Sequence, residues 1–262
     1  MNCSVSFTSY LRLFPRAIRP GFRIRSLYFD IAPSAHMLRA AVPYLATYAL
    51  RPFHRFFPDM LWRVDVNSDA AYLTFDDGPH PRITPRLIDT LAARDAKATF
   101  FLVGSNAAKY PEWVRALHDA GHTIGNHTYT HPDAWTTDTP TLIDELERTT
   151  ETLQQIIGEK INVMRPPYGH PTTAMREWCK RKKQRMVMWD VMPGDYLRTA
   201  TAEGIAAFTQ QAIRPGSVIV LHDNPICETV TLDALSSIVK TPSVRFPSLP
   251  SRATAFVSPA SA

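Results

Sequence analysis

The sequence predicts an α/β fold on a parallel sheet, either closed as a barrel or open as a doubly wound sheet. Two observations carry that prediction. Short apolar runs alternate with helical stretches from about residue 71 to residue 222, a rhythm that suits parallel strands joined by right-handed crossovers. Polar groups also close the predicted strands at their carboxyl ends: Asp76-Asp77, His127, Arg165, Asp190 and His222. That side carries the chemistry of α/β barrels, which favours the barrel, although open sheets use it too.

The elements follow in order. Ala71–Phe75 reads as a strand running into Asp76-Asp77-Gly78-Pro79. Thr84-Pro85 opens a helix to about Arg94, with threonine as cap and proline at the first helical position. Ala98–Val103 is a strand, Pro111–Ala120 a helix stopped by Gly121, and His122–Asn126 a short strand leading into His127. Pro140–Ile157 is the clearest helix: Leu142, Leu146, Thr149, Leu153 and Ile156 recur at three- and four-residue steps before Gly158. Ile161–Met164 reads as a strand, Thr172–Lys182 as a helix, Arg185–Val191 as a strand, Ala202–Ile213 as a helix and Ser217–Leu221 as a strand. A helix-like piece, Leu232–Val239, comes last.

The 262 residues suit one large domain with end segments. Four parts are expected: an Arg/Ser-rich extension over 1–36, a helical or connecting segment over 37–69, a catalytic domain over 70–240 and a Pro/Ser-rich, loosely packed tail over 241–262. The net charge is +5, but the excess sits at the ends, and residues 37–240 carry 22 basic against 23 acidic side chains. The folded middle therefore has no general attraction for nucleic acid. Cys3, Cys179 and Cys227 are odd in number and far apart, so neither a disulfide framework nor a cysteine zinc site follows. The longest apolar stretch, Ala40–Leu50, is too short to span a bilayer, which takes ~20 residues. The 1–36 segment lacks the apolar run of a secretory signal and is similar to a transit peptide; a start at Met37 is the alternative. Phe53, Phe56 and Phe57 among Arg and His offer a membrane-surface contact or packing across the barrel. Oligomeric state and compartment stay open.

Asp76-Asp77 puts two carboxylates side by side at a strand end, an arrangement that a cation relieves. His127 and His131 stand four residues apart, a spacing that shares one face if the segment is helical and suits one metal ion. One aspartate and two histidines make a three-ligand divalent site with room for water, and the other aspartate supplies the general base that Thr128 cannot. Adjacency alone does not say which aspartate does which. His222 suits a general acid, Asp195 its orienting carboxylate, and Arg165 a partner for the catalytic carboxylate.

Five segments then carry a resemblance. TFDDG (Thr74–Gly78), HTYTH (His127–His131), RPPYG (Arg165–Gly169), WDVMPGDY (Trp189–Tyr196) and LHD (Leu221–Asp223) come in the order of the five motifs of the polysaccharide deacetylases, carbohydrate esterase family 4 or the NodB-homology group. The match spans about residues 70–235. The resemblance implies a distorted (β/α) barrel. It makes Asp76 the base, Asp77, His127 and His131 the ligands of a divalent metal (zinc, or cobalt, nickel or manganese), and Arg165 the residue that holds Asp76. It gives the Tyr168 main-chain N–H to the oxyanion, has Asp195 tune His222 as acid, and lets Tyr196 and Leu221 line an acetyl pocket. The implied substrate is an acetylated carbohydrate such as a chitooligosaccharide or peptidoglycan, attacked by activated water. Tyr196 stands where the family often has tryptophan, and the chain past LHD leaves a last barrel strand unaccounted for. Two rivals are an enzyme cleaving another C–N bond, in a cyclic imide or ureide, and a carbohydrate-binding relative without activity.

Overall fold

Seven parallel strands form one sheet in a computed structural model that describes residues 43–64 and 69–249. The expected 1–36 extension, residues 250–262 of the tail, and parts of the 37–69 segment lie outside the described residues. The strands are β1 (Met60–Leu61), β2 (Tyr72–Asp76), β3 (Ala98–Leu102), β4 (Thr123–Asn126), β5 (Val163–Met164), β6 (Arg185–Val187) and β7 (Val218–His222). Their spatial order is β1-β6-β5-β4-β3-β2-β7. The helices are α1 (Thr84–Ala92), α2 (Gly104–Lys109), α3 (Pro111–Asp119), α4 (Thr139–Ile157), α5 (Thr173–Lys182), α6 (Ala202–Ala212) and α7 (Glu228–Ile238).

The sheet is buried on both faces, as a parallel sheet under crossover helices must be. All five residues of β2 are buried, and their alternation sorts them. Leu73 and Phe75 join Phe100, Leu102, Ile219 and Leu221 in a core shared with the helices, through Leu87, Leu91, Leu117 and Leu235 among others. Tyr72 points inward with Phe101, Val163, Val187 and Val218. Thr74 and Asp76, two and four residues on from Tyr72, share that inner side. The sheet curls until its ends meet. Val64 donates to the Gly216 carbonyl at 2.9 Å, Arg63 bridges Ser217, and Val191 bridges Ile219 beside β7. This is the distorted (β/α) barrel expected from the motifs, open at the join between β1 and β7 apart from these single bridges.

Helix ends follow local capping chemistry, except that the expected cap Thr84 is the first residue of α1 itself: Ile83 holds the cap position without a side-chain bond, and the Thr84 hydroxyl donates to Asp223 instead. The Asp138 side chain accepts from the Thr141 N–H at 3.0 Å to cap α4, and Gly158, with φ of 74°, ends it in the left-handed conformation. Thr172 and Thr201 cap α5 and α6 in the same way. The basic run at the end of α5 is a helix carboxyl terminus, and its Lys182 pairs with Glu147 at 2.9 Å.

Three differences stand out. The short strand β1 and the six-residue helix α2 carry too little periodicity to be read from sequence. β5 begins at Val163, two residues later than its apolar run, and β6 ends at Val187, where the chain leaves the sheet and the Met188 carbonyl turns to Arg165. The segment after α7 is not loosely packed over its described part. Arg245 accepts from the Ala71 N–H at 2.9 Å, and Phe246 and Leu249 are buried in the two cores. Spaced three residues apart, these two apolar side chains dock against the sheet although prolines and serines dominate the composition. A single bridge between Ala70 and Arg245 stands there, and no eighth strand follows α7 among the described residues.

Gly216 sits at the seam with φ of 82°, and a Cβ on it would collide with the Val64 carbonyl oxygen. Gly216→Ala is therefore expected to destabilise the fold by about 2–3 kcal/mol, read as a fall in the urea midpoint without a change in slope.

Candidate functional site

The site stands at the carboxyl ends of the strands. Asp76 closes β2, His222 closes β7, His127 follows β4 and Arg165 follows β5. Because β2 lies between β3 and β7, with Asp76 in register with His222, the acidic pair and the histidine face one mouth from adjacent strands.

Arg165 reaches into this mouth from the barrel interior, where it has no exposed surface. Its Nη1 donates to Asp76 Oδ1 and to Thr74 Oγ1, each at 2.7 Å. Nε donates to the Val187 carbonyl at 3.1 Å and Nη2 to the Met188 carbonyl at 2.7 Å. With one carboxylate oxygen so engaged, Asp76 turns Oδ2 toward His127 Nε2, 4.0 Å away.

Asp77, next along, adopts φ of 75° and brings Oδ1 to 3.5 Å from His127 Nε2 and 3.2 Å from His131 Nε2. The three ligand atoms lie within 4.8 Å of one another. A tetrahedral site with metal–ligand lengths of about 2.0–2.1 Å has edges near 3.4 Å, so the donor set and its spacing fit one divalent cation. His127 Nδ1 lies 2.8 Å from the Arg165 carbonyl. That contact makes Nδ1 the protonated nitrogen and leaves the Nε2 lone pair facing Asp77. Burial pushes the Asp77 carboxyl up, but the contacts with His127 and His131 outweigh it and hold the group well below the usual range.

The two histidines do not share a helix face, as their spacing suggested. They lie in a loop in which Thr128 and His131 both have φ of 62°, and their ring centroids are 4.9 Å apart. The loop is held from beneath. Glu145 Oε2 accepts from the N–H groups of Tyr129 and Thr130 at 2.7 and 2.6 Å, and its Oε1 accepts from the Thr130 hydroxyl at 2.8 Å. Asn126 Oδ1 accepts from the Thr128 N–H at 2.8 Å. Of seven non-glycine residues with positive φ among the described residues, Asp77, Thr128, His131 and Tyr168 are at this mouth, where strained backbone commonly marks function.

His222 Nδ1 lies 2.8 Å from Asp195 Oδ1, and Asp195 Oδ2 accepts from the His222 N–H and the Thr231 hydroxyl. Burial works against the charged imidazole, but the Asp195 carboxylate outweighs it, and the pKa is pushed up to about 9. Tyr196 sets its ring edge-on to His222 at 5.4 Å, and Tyr168 sets its ring against His131 at 4.6 Å. Trp135 stacks flat on His170 at 3.6 Å, with its Nε1 on the Pro171 carbonyl.

Two expected placements are corrected. Leu221 does not line the mouth: alternation along β7 turns it with Ile219 into the helix-side core, and Val220 shares the face of His222. Asp190 is not at the catalytic end. Its N–H donates to the Val218 carbonyl at the amino end of β7, and its carboxylate binds Arg51, Arg214 and Ser217. The extended run continues past Val187, but the sheet does not, so the apolar pattern put Asp190 at the wrong end.

Three residues of the site escaped the sequence reading. Asn224 Nδ2 donates to Asp77 Oδ2 at 2.6 Å, and Asn106 Nδ2 donates to the Asp77 carbonyl at 2.9 Å. Nothing in their sequence context announces either. Glu145 did leave a trace, a carboxylate on the apolar stripe of α4, three residues after Leu142.

A sequence profile described as polysaccharide deacetylase matches residues 63–187. A peptidoglycan-N-acetylglucosamine deacetylase of Bacillus cereus is 36% identical over 189 residues, covering 71% of this chain and 68% of that protein. A chitooligosaccharide deacetylase of Bradyrhizobium sp. (strain ANU 289) is 35% identical over 155 residues, covering 59% of this chain and 70% of its own. Among solved structures, a peptidoglycan N-acetylglucosamine deacetylase bound to an N-oxidanyl-benzamide superposes with a TM-score of 0.70 at 34% identity, over 74% of this chain and 92% of that one. A family 4 carbohydrate esterase from Streptomyces lividans, in complex with acetate, gives 0.66 at 30% identity, over 73% and 98%.

Glu145→Ala leaves the Tyr129 and Thr130 N–H groups without their acceptor and releases the loop that ends in His131. Calorimetric titration with zinc is expected to show affinity weakened by about 10–100-fold; an unchanged affinity would separate the loop from the cation.

Proposed function

The chain belongs to the polysaccharide deacetylase family, and on that premise we propose that it removes acetyl groups from an N-acetylated or O-acetylated carbohydrate, such as a chitooligosaccharide or peptidoglycan, with residues 70–240 carrying the chemistry. The observation that supports this most is the convergence of one carboxylate oxygen of Asp77 with Nε2 of His127 and of His131, beside a second, independently anchored carboxylate. The substrate classes are those named for its relatives.

Asp77, His127 and His131 would hold a divalent cation of the zinc class, which would supply Lewis acidity and lower the pKa of water toward neutral. Asp76 is placed to take the proton. Its Oδ1 is tied to Arg165, so the carboxylate cannot rotate away, and Oδ2 faces the mouth. As water adds to the acetyl carbonyl, charge develops on its oxygen, where the main-chain N–H of Tyr168 is assigned as donor; fixed donors of this kind are commonly the largest contribution in acyl transfer. His222 gives a proton to the departing amine or alkoxide, and Asp195 keeps the imidazole oriented and charged. Acetate and the free amine or hydroxyl then leave. Tyr196 and Val220 are assigned to the acetyl methyl, Val220 taking the place first given to Leu221.

Acetate release from N-acetylglucosamine oligomers, peptidoglycan and acetylated xylan, with and without chelator, tests the proposal. Release that chelator stops on at least one substrate is expected; chelator-resistant release, or none, overturns it. Asp77→Ala should lose zinc and turnover together, with elemental analysis reading the first and acetate the second. The pH profile gives a further check. His222 has its pKa raised, so it carries its proton at neutral pH and loses it as pH rises toward about 9. Asp195→Asn removes the raising charge and leaves the lowering effect of burial, so the alkaline limb of kcat should move to lower pH.

A further inference from the structure

Asp77 is held at both ends by asparagines to which the proposed chemistry gives no step. The Asn106 amide donates to its main-chain carbonyl at 2.9 Å, and the Asn224 amide donates to its Oδ2 at 2.6 Å. Asn224 follows β7 directly after His222 and Asp223. The Asp223 N–H donates to the Asp76 carbonyl at 2.8 Å, so this segment is fastened to the aspartate pair by main chain as well as by side chain.

The Asn224 amide faces one way only. Its Oδ1 accepts from the Ile226 and Cys227 N–H groups, at 3.0 and 3.3 Å, just ahead of α7. Those bonds take the oxygen, so the amide nitrogen is the end that meets the carboxylate. The donor is also neutral. Asp76 is held by the Arg165 guanidinium at 2.7 Å, which offsets its charge. A cation in the same place on Asp77 would cancel the charge that draws a metal ion. An amide orients the carboxylate and leaves its charge intact.

With Oδ2 so engaged, Oδ1 is the oxygen brought to the histidines, 3.5 Å from His127 Nε2 and 3.2 Å from His131 Nε2. A carboxylate released from Asn224 would be free to chelate with both oxygens and use up a second coordination position. Zinc in open hydrolytic sites takes three protein ligands and keeps the fourth position for water. Calcium accepts both oxygens of one carboxylate, and manganese favours an octahedron of oxygen ligands. We infer that Asn224 is a positioning residue that restricts Asp77 to one coordinating oxygen, and so sets the preference of the site for a small four-coordinate ion over oxygen-rich ones. This role rests on the proposed metal site of Asp77, His127 and His131.

The test uses the full chain, stripped with chelator and titrated calorimetrically with zinc and with manganese. Asn224→Leu keeps much of the volume and deletes the donor; zinc affinity is expected to fall about 10–100-fold, and the zinc-over-manganese ratio about tenfold or more. Asn224→Asp retains an acceptor for the Ile226 and Cys227 N–H groups but sets a carboxylate against Oδ2, and should narrow the ratio as well. It stands in if the leucine variant fails to fold, with the metal-free thermal midpoint as the check. Cobalt absorption adds a signature that loss of packing alone does not move. Wild-type protein loaded with cobalt is expected to show the intense visible bands of a four-coordinate ion, and the variants weaker ones. Weak, octahedral-type bands in the wild type overturn the inference without any variant. Wild-type protein that takes up no zinc overturns the metal site and this role together. Zinc uptake by the wild type with its metal ratio kept in the folded variants, or a narrowed ratio with an unchanged cobalt spectrum, overturns the role of Asn224 alone.

Discussion

A guanidinium buried inside a barrel is the constraint on which the rest depends. Placing Arg165 there without partners would cost several kcal/mol, yet each of its nitrogens has an acceptor. Asp76, Thr74, and the carbonyls of Val187 and Met188 surround it, and the rings of Phe101 and Trp189 lie at 4.3 and 5.9 Å. These partners come from β2, from the end of β6 and from the chain just beyond it, so one side chain ties the strands together across the interior. The same contacts fix Asp76 with one oxygen engaged and one presented. The Arg165 carbonyl, in turn, orients His127. Asp76, the proposed base, and His127, a proposed metal ligand, are thus positioned by a single residue, through its side chain and its main chain.

Around that anchor the mouth is assembled from backbone that prefers not to be there. Asp77, Thr128, His131 and Tyr168 hold positive φ without being glycine, a conformation that costs of order 1–3 kcal/mol each. The offset comes from buried hydrogen bonds: Glu145 and Asn126 under the histidine loop, Asn106 and Asn224 around Asp77. The result resembles a preorganised site, in which ligands are held close before any ion or substrate arrives. The opposite side of the mouth is arranged the same way, with Asp195 bonded to both the ring and the main chain of His222.

The barrel divides its two ends by charge. Carboxylates and imidazoles gather at the carboxyl ends of the strands, and arginines gather at the amino ends of β6 and β7 around Asp190. Asp190 shows how a local pattern misleads. Its run of apolar neighbours reads as one strand, but the paired strand stops at Val187 and the chain bends across to β7, which delivers the carboxylate to Arg51 and Arg214.

By itself the sequence determined the alternation of strands and helices, the helix stop at Gly158, and the identity of the groups at the mouth, because periodicity, helix-ending glycines and reactive side chains are local properties; the caps at Asp138 and Thr172 were seen only in the structure. It also placed Asp76, Asp77, His127, Arg165 and His222 at strand ends, since each directly follows or closes an apolar run. Only the tertiary structure decided that His127 and His131 meet through a loop and not a helix, that Val220 and not Leu221 shares the face of His222, and that Phe246 and Leu249 pack where prolines and serines prevail. It alone brought in Asn106, Asn224 and Glu145. Each of these depends on which distant residue lies opposite in space, a relation set by register, curl and close packing that no short stretch of chain contains.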